Sequence, residues 1–513
     1  MKNKTKIKQL TVATIAGLQF ALPALAADTG GTPADNTNNS SASQAAEIDT
    51  LKKEVQELAQ KIDALESQQQ AAPAPASAPP SATVEDLDQK VRILEREREN
   101  DKEDAATLAK AQPKISLNEN GFSFSSPNAN FVATLHGLIQ LDSRTFFNNP
   151  KLTSGADGFL LRRARPIFTG TVFQNFDFNF TPDFGGSSVQ IQDAYLNYHY
   201  NPLFQIEVGK FKAPVGLEQL QNDAYVLFNE RSIVNDLVPN RDLGLELHGD
   251  ILGGVVSYAA GIFNGVSDYN GTTVTSPIDN GKSFDGRLFA QPFKSSDITP
   301  LQGLGFGVGG SYEDDHGASE LTPGYTTDGQ QKFFTYASTA VADGTHWRVS
   351  PQGYYYWGPF GLLGEYAISD QKVELTTAGN KPVDVQNTAW EISAGWVLTG
   401  EDASYNGVTP LHPFSLHNGN WGAWQVVARY ENLDIDDDVF SSKLASASTV
   451  SPVYSASASE AHAWSAGLNW YLNRNVRINA SFSRTDFTGG TGTGATVTKQ
   501  PENVLFTRVQ LAF

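Results

Sequence analysis

LFQIEVGKFKAPVGLEQLQNDAYVLFNERSIVNDLVPNRDLGLELHGD (Leu203–Asp250) is the stretch that decides the fold. At one end Phe204, Ile206 and Val208 alternate with polar residues, and at the other Leu243, Leu245 and Leu247 do the same. Such period-two alternation marks a strand with one wet and one apolar face. Between the two lie about thirty residues, roughly 213 to 242, with Pro214, Gly216 and Pro239 and no clear period. An irregular connection of that length in a compact domain is functional or disordered. Its Leu, Val, Phe and Tyr content argues against disorder. The segment is therefore expected to pack inside a barrel built by the rest of the chain.

Upstream, residues 1–26 carry Lys2, Lys4, Lys6 and Lys8, an apolar stretch broken by Gln19 and Pro23, and the small-x-small end Ala24-Leu25-Ala26. This is the pattern of a secretory signal peptide. Its removal takes four positive charges away and moves the net charge from −19 to −23. With no cysteine in the chain, disulfides and thiolate metal sites are excluded. Residues 27–44 read as a flexible lead. A coiled-coil region, 45–112, follows: Ile48, Leu51, Val55, Leu58, Ile62 and Leu65 form a heptad seam, a Pro/Ala spacer covers 71–82, and Val84, Leu87, Val91 and Leu94 form a second seam. Blocks this short are weak as isolated helices and need partner chains.

From about residue 125 to 513 the chain reads as a series of strands. Phe131, Ala133, Leu135, Ile139 and Leu141 oppose His136, Gln140 and Asp142; Trp424, Val426, Ala428 and Tyr430 oppose Gln425, Arg429 and Glu431. Trp464, Ala466, Leu468 and Trp470 oppose Ser465, Gly467 and Asn469. Tight connections (Asn201-Pro202, Leu252-Gly253, Gly358-Pro359, Asn473-Arg474-Asn475) interleave with long polar ones at 144–158, 264–282, 313–345, 371–387, 435–461 and 487–502. Short turns on one side and long loops on the other fit an outer-membrane barrel. Counting 332–337 as a strand gives an odd total. Treating 313–345 as one loop gives sixteen antiparallel strands, with one long inner connection at 400–420. The last strand alternates Leu505, Thr507, Val509 and Leu511 and ends on Phe513, a pattern that resembles the assembly signal of such barrels. Arg429, Arg477 and Arg508 alternate opposite apolar residues. Since a charge on the lipid face costs about 2–4 kcal/mol near mid-bilayer, they are placed facing the lumen.

The barrel region resembles the phosphate-selective porin O and P family. The resemblance is carried by GFLLRRARPIF (158–168), VQIQDAYLNYHYNP (189–202), VGKFKAPVGLEQ (208–219), FNER (228–231) and WGAWQVVARYENLD with the final strand. It implies a passive, trimeric channel whose third loop folds inward to form the constriction. Arg162, Arg163 and Arg231 match basic positions, and Arg144 sits near another. Gln219 stands where phosphate-specific members carry lysine, and Gln192 stands where they carry an aspartate, with Asp193 following. The loop 313–345 offers only Lys332, and Arg348 beyond it. The expected constriction brings Arg231, Lys210, Lys212, Arg162 and Arg163 to face Glu218, Glu230 and Asp193, with weak anion preference and no tight phosphate site.

Other chemistry is missing. The eight histidines lack metal spacing, GLGFGVGG (303–310) has no following helix, and DIDDD (434–438) lacks the remaining ligand spacing of a calcium loop. No catalytic group, metal, cofactor or nucleic-acid partner is expected. The expected partners are two further copies of the chain, the bilayer with its lipopolysaccharide, and the barrel-assembly machinery. Two rival readings are a sugar channel, with Tyr354, Tyr356 and Trp357 as an aromatic slide, and a structural barrel tethered to the cell wall by the coiled coil. Ultracentrifugation of a 40–112 fragment checks the seam: it should associate, and Val55→Asp with Leu58→Asp should leave a monomer.

Overall fold

The computed structural model describes residues 82–147, 155–186, 188–268, 280–317, 321–322, 324–376, 381–446, 457–489 and 500–513. The signal peptide, the lead, the first heptad seam and residues 71–81 of the spacer lie outside these. Helix α1 (Ala82–Ala111) carries the second seam, with an Arg92–Asp88 ion pair of 2.8 Å one turn apart. A hairpin not anticipated from the sequence follows, β1 (Lys114–Asn118) and β2 (Gly121–Ser125).

The barrel opens with β3 (Phe131–Phe146), β4 (Gly158–Val172), β5 (Phe176–Asp183), β6 (Gln190–Asn201) and β7 (Phe204–Lys212). It continues through β8 (Arg241–Ile251), β9 (Val256–Phe263), β10 (Ser283–Ala290) and β11 (Leu304–His316). The short strands β12 (Tyr325–Thr326) and β13 (Lys332–Phe334) pair only with each other. The barrel then resumes with β14 (Ala340–Trp357), β15 (Phe360–Leu375), β16 (Val383–Val397), β17 (Ala423–Asp434), β18 (Glu460–Tyr471), β19 (Val476–Thr488) and β20 (Glu502–Ala512). Each barrel strand pairs antiparallel with the next, β11 pairs directly with β14, and β20 closes onto β3 with Val509 opposite Leu141. The result is a closed barrel of sixteen strands. The 332–334 strand that upset the parity count belongs to an outer loop.

The pattern of burial is inverted relative to a soluble protein. On β17, Gln425, Arg429 and Glu431 are buried while Val426 and Tyr430 are exposed, and on β3 Gln140 and Asp142 are buried while Ile139 and Leu141 are exposed. Closure leaves no strand edge, and an apolar outer face satisfies lipid while polar groups satisfy one another inside. Trp424 stacks on its cross-strand partner Trp470 at 4.9 Å near one rim, and Trp464 stands opposite Tyr430 six residues further on. Six residues of strand span about 20 Å, so the two aromatic groups bracket the apolar belt as girdles.

The largest apolar cluster among the described residues joins the segment after β7 to the barrel wall. Ile233, Val234, Leu237 and Val238 pack with Tyr325, Phe333 and Phe334 of the outer loop and with Val373, Val385 and Leu433 of the wall. The carboxy-terminus completes the seam. Phe513 exchanges backbone hydrogen bonds with Gly137 at 2.8 and 3.0 Å, and its ring occupies the space where a Gly137 side chain would stand. Deleting Phe513 removes that closure, so the amount of heat-resistant oligomer recovered from outer membranes should fall, while channels that do form should keep the parent conductance in planar bilayers.

Candidate functional site

The segment 213–240 leaves the ladder after β7 and returns at β8. Only a single helical turn, α2 (Leu217–Leu220), and a 3-10 turn at Ile233–Asp236 interrupt its irregular path, so its backbone groups need partners from elsewhere. Side chains of the barrel wall supply them. Gln352 of β14 donates to the Val215 carbonyl at 2.7 Å, and Glu365 of β15 accepts from the amides of Leu217 and Glu218 at 3.0 and 3.1 Å. Gln140 of β3 donates to the Asp223 carbonyl, Gln510 of β20 to Ala224, Arg477 of β19 to Val226, and Asn469 of β18 to Leu227. Arg429 of β17 donates to the Glu230 carbonyl at 3.1 Å, and Glu431 of the same strand accepts the Ile233 amide at 2.9 Å. Gly309 lets the segment lie this close, because a Cβ there would stand 2.2 Å from the Val215 oxygen.

Charges organise the outer side of the segment. Arg162 holds Glu230 through two bonds of 2.6 and 2.8 Å, and Arg144 adds a third at 2.8 Å. Asp223 receives Arg231 at 2.5 Å, Arg163 at 3.4 Å, and Arg165, which also bonds Asp183. Arg231 spends its remaining donors on the carbonyls of Glu218 and Gln221. Arg241 pairs with Asp193 at 2.9 Å. The expected opposition of Arg231 to the Glu218, Glu230 and Asp193 carboxylates therefore resolves differently, with Asp223 as its acidic partner. Glu218 instead accepts from the Ser232 amide and Asn235, both at 2.7 Å.

Two β-bulges explain why neighbouring residues share the interior. On β4 the register passes from Gln140↔Arg163 to Leu141↔Leu161, so Arg162 is the extra residue. On β6 it passes from Thr181↔Asp193 to Pro182↔Ile191, so Gln192 is extra. Strict alternation would send one of each adjacent pair to lipid, and the bulge turns both inward.

The other expected site residues take structural places. Lys210 is buried on β7, and Lys212 donates to the Gln221 carbonyl at 2.7 Å. Gln219 donates to Asn240. Arg508 is held by both oxygens of Asp142 at 2.6 and 2.7 Å, and Arg429 by Asp328 at 2.6 Å. Tyr354 packs among Phe289, Tyr356 and Tyr405, whereas Trp357 is exposed on the opposite face. Glu313, Asp315 and His346 converge, yet Arg348 already donates to Glu313 at 3.0 Å and to Asp268 at 2.7 Å. A guanidinium thus occupies the place of a cation there. Asp223, Arg165 and Arg241 were not singled out from the sequence. For Arg165 the signal was present, since it lies two residues from Arg163 on the same face.

These groups surround a cavity of about 380 Å³ lined by six arginines (Arg144, Arg162, Arg163, Arg165, Arg231, Arg241) with Asp183, Asp223 and Gln192. A closed transmembrane barrel with a charged interior of this kind is a porin. Residues 134–513 match the phosphate-selective porin O and P family, and the chain belongs to it. It is 24% identical over 395 residues to Porin O of Pseudomonas aeruginosa, covering 71% of this chain and 84% of that one. Among solved structures, it is similar to the anion-selective porin from Comamonas acidovorans (11% identity, TM-score 0.46, 75% of this chain and 100% of that one). The outer membrane channel DcaP of Acinetobacter baumannii is similar at 11% identity and TM-score 0.47, with 76% and 99% covered. The protein is thus an outer-membrane channel.

Burial opposes ionisation of Asp223, but Arg163, Arg231 and Arg165 outweigh it and hold the carboxyl well below the usual range. Burial also opposes ionisation of Glu230, where Arg162, Arg163 and Arg144 again prevail and lower it. A depressed folded value stabilises the protein above the unfolded carboxyl range, near 4, and that contribution is lost as pH falls through the folded value. The contribution of these two carboxylates to thermal stability should accordingly hold from pH 7 down to about 5 and fall away only below about pH 4, as melting at stepped pH will show. Asp223→Asn leaves buried guanidiniums without their carboxylate, a loss of about 3–5 kcal/mol. Its thermal transition should fall and its current noise rise, as melting and bilayer recording will show.

Proposed function

We propose that segment 213–240 is an inward-folded third loop forming the constriction of a passive diffusion channel, and that this channel weakly prefers anions, phosphate-like and polyphosphate-like ones among them. The single observation carrying this reading is the cavity with six arginines, into which only two aspartates project. Low-dielectric walls focus the field at such a site. The acidic charge of the outer loops and amino-terminal region, more than about 10 Å away, is screened at 0.1 M salt. Preference is weak because most of the arginine charge is already paired: Glu230, Asp223, Asp183, Asp193 and two main-chain carbonyls accept from these side chains, although the Nε of Arg144 and of Arg163 has no partner among the described residues. A guanidinium committed to a carboxylate attracts a passing anion with only its residual charge, so no high-affinity phosphate site is proposed.

The proposed assembly is a homotrimer in the outer membrane, with lipopolysaccharide around it and Phe513 read by the assembly machinery. Residues 45–112 are proposed as a periplasmic coiled coil. The exposure of Val91 and Leu94 on helix α1, at 47% and 63%, supports an association that a single chain does not complete. Contact of this region with the cell wall would be a second role beside conduction.

Reversal potentials in a KCl gradient across a planar bilayer test the preference. The parent channel should favour chloride, and Arg162→Ala with Arg231→Ala should move the potential towards potassium. An unmoved potential would remove these arginines from the ion path.

A further inference from the structure

The inner side of segment 213–240 carries the opposite charge. In the register of β7 and β8, Glu207 stands directly opposite Glu246. Like charges directly opposite on neighbouring strands repel, and such a pair calls for a positive partner. The protein offers little. Glu246 is only 8% exposed, and its Oε2 has no hydrogen-bond partner among the protein's groups. The Oε2 of Glu207 lies 4.0 Å from His248 Nε2, beyond hydrogen-bond reach. Asp193, the next acid on this wall, is already held by Arg241.

Both carboxylates line a cavity of about 390 Å³, together with Tyr195, Lys212 and Arg287. Among the described residues neither base hydrogen-bonds to the two glutamates, although Arg287 lies close enough to Glu246 to act on it through charge. Lys212 donates to the carbonyl of Gln221, while Arg287 donates to Gln352 and lies 4.4 Å over the Phe289 ring. A divalent metal ion needs several ligand atoms converging on one point, and among the described residues Glu207 and Glu246 belong to no such group of three. An ammonium group needs less, since one or two carboxylates attract it by charge alone and an aromatic face holds it through the ring quadrupole, with or without an N–H to donate. The volume falls in the range of small-ligand cavities.

We infer that this inner cavity is a subsite for the ammonium group of a small organic solute, held between Glu207 and Glu246. The assignment does not depend on anion preference at the arginine cavity, and a solute bearing both charges would meet each in turn. Full-length channel in a planar bilayer tests it, with choline chloride as the probe on both sides of a KCl current. Choline should reduce the parent current, and Glu207→Gln with Glu246→Gln should raise the half-blocking concentration about tenfold. Heat-resistant oligomer recovered in the parent's amount shows that the variant barrel is intact. Should the double variant fail to insert, Glu246→Gln alone should still raise the half-blocking concentration severalfold. Equal choline block in parent and variant overturns the assignment. So does a glutamate-dependent block by MgCl2 without one by choline, which would make the pair an inorganic-cation site. The chloride-versus-potassium reversal potential of the parent stands in either case, so failure here is separable from failure of the anion reading.

Discussion

A long irregular segment buried among other groups must find a partner for nearly every main-chain amide and carbonyl it carries, and the rest of this structure follows from how that demand is met. An unsatisfied buried polar group costs roughly 1–3 kcal/mol. Segment 213–240 has two short helical turns and no sheet of its own, so the barrel wall must answer from outside. It does so with side chains from β3, β14, β15, β17, β18, β19 and β20, among them Gln140, Gln352, Glu365, Arg429, Asn469, Arg477 and Gln510. The wet face of the barrel is therefore far from a generic polar lining. Glu365 and Glu431 accept amides at the starts of two short turns, where the exposed N–H groups favour negative charge.

Charge is then distributed on what remains. Arginines from β3, β4 and β8 enter the outer side of the segment, and bulges on β4 and β6 turn Arg162 and Gln192 inward beside neighbours that already face that way. Asp223 and Glu230 project from the segment into these arginines, so the same ion pairs that neutralise most of the positive charge also pin the loop's position. On the inner side the wall is acidic, with Glu207 and Glu246 abreast. The sign of the lining charge thus reverses between the two cavities.

Much of this was legible in the sequence because the bilayer enforces a strict rule. Alternation at Phe131–Leu141 and Trp424–Glu431 had one reading once the exported, helix-poor chain was granted, and the parity of short and long connections set the strand number. The buried segment was legible because hydrophobic residues without period had nowhere else to go. Pairing within the segment was not legible. Nothing in QNDAY marks Asp223 as the partner of three arginines, since two of them arrive from β4 beside its bulge and the third from eight residues further along the segment. The hairpin at 114–125 escaped notice because five-residue strands bounded by polar residues look like any linker. The Glu207–Glu246 pair was within reach, because the register implied by the flanking strands places them opposite each other, but charge on a wet face drew no attention singly.

The wall holds segment 213–240 chiefly by its main chain, and that has an evolutionary consequence. A mount that grips amides and carbonyls is indifferent to most of the side chains the segment displays, apart from anchors such as Asp223 and Glu230. Gln219 and Gln221 each make one side-chain bond, to Asn240 and to the Tyr405 carbonyl, so a change there costs about 1–3 kcal/mol rather than the trace. Relatives that diverge at those positions would inherit the same scaffold with different chemistry on the segment. The lumen then behaves as a socket into which selectivity can be rewritten without refolding the barrel.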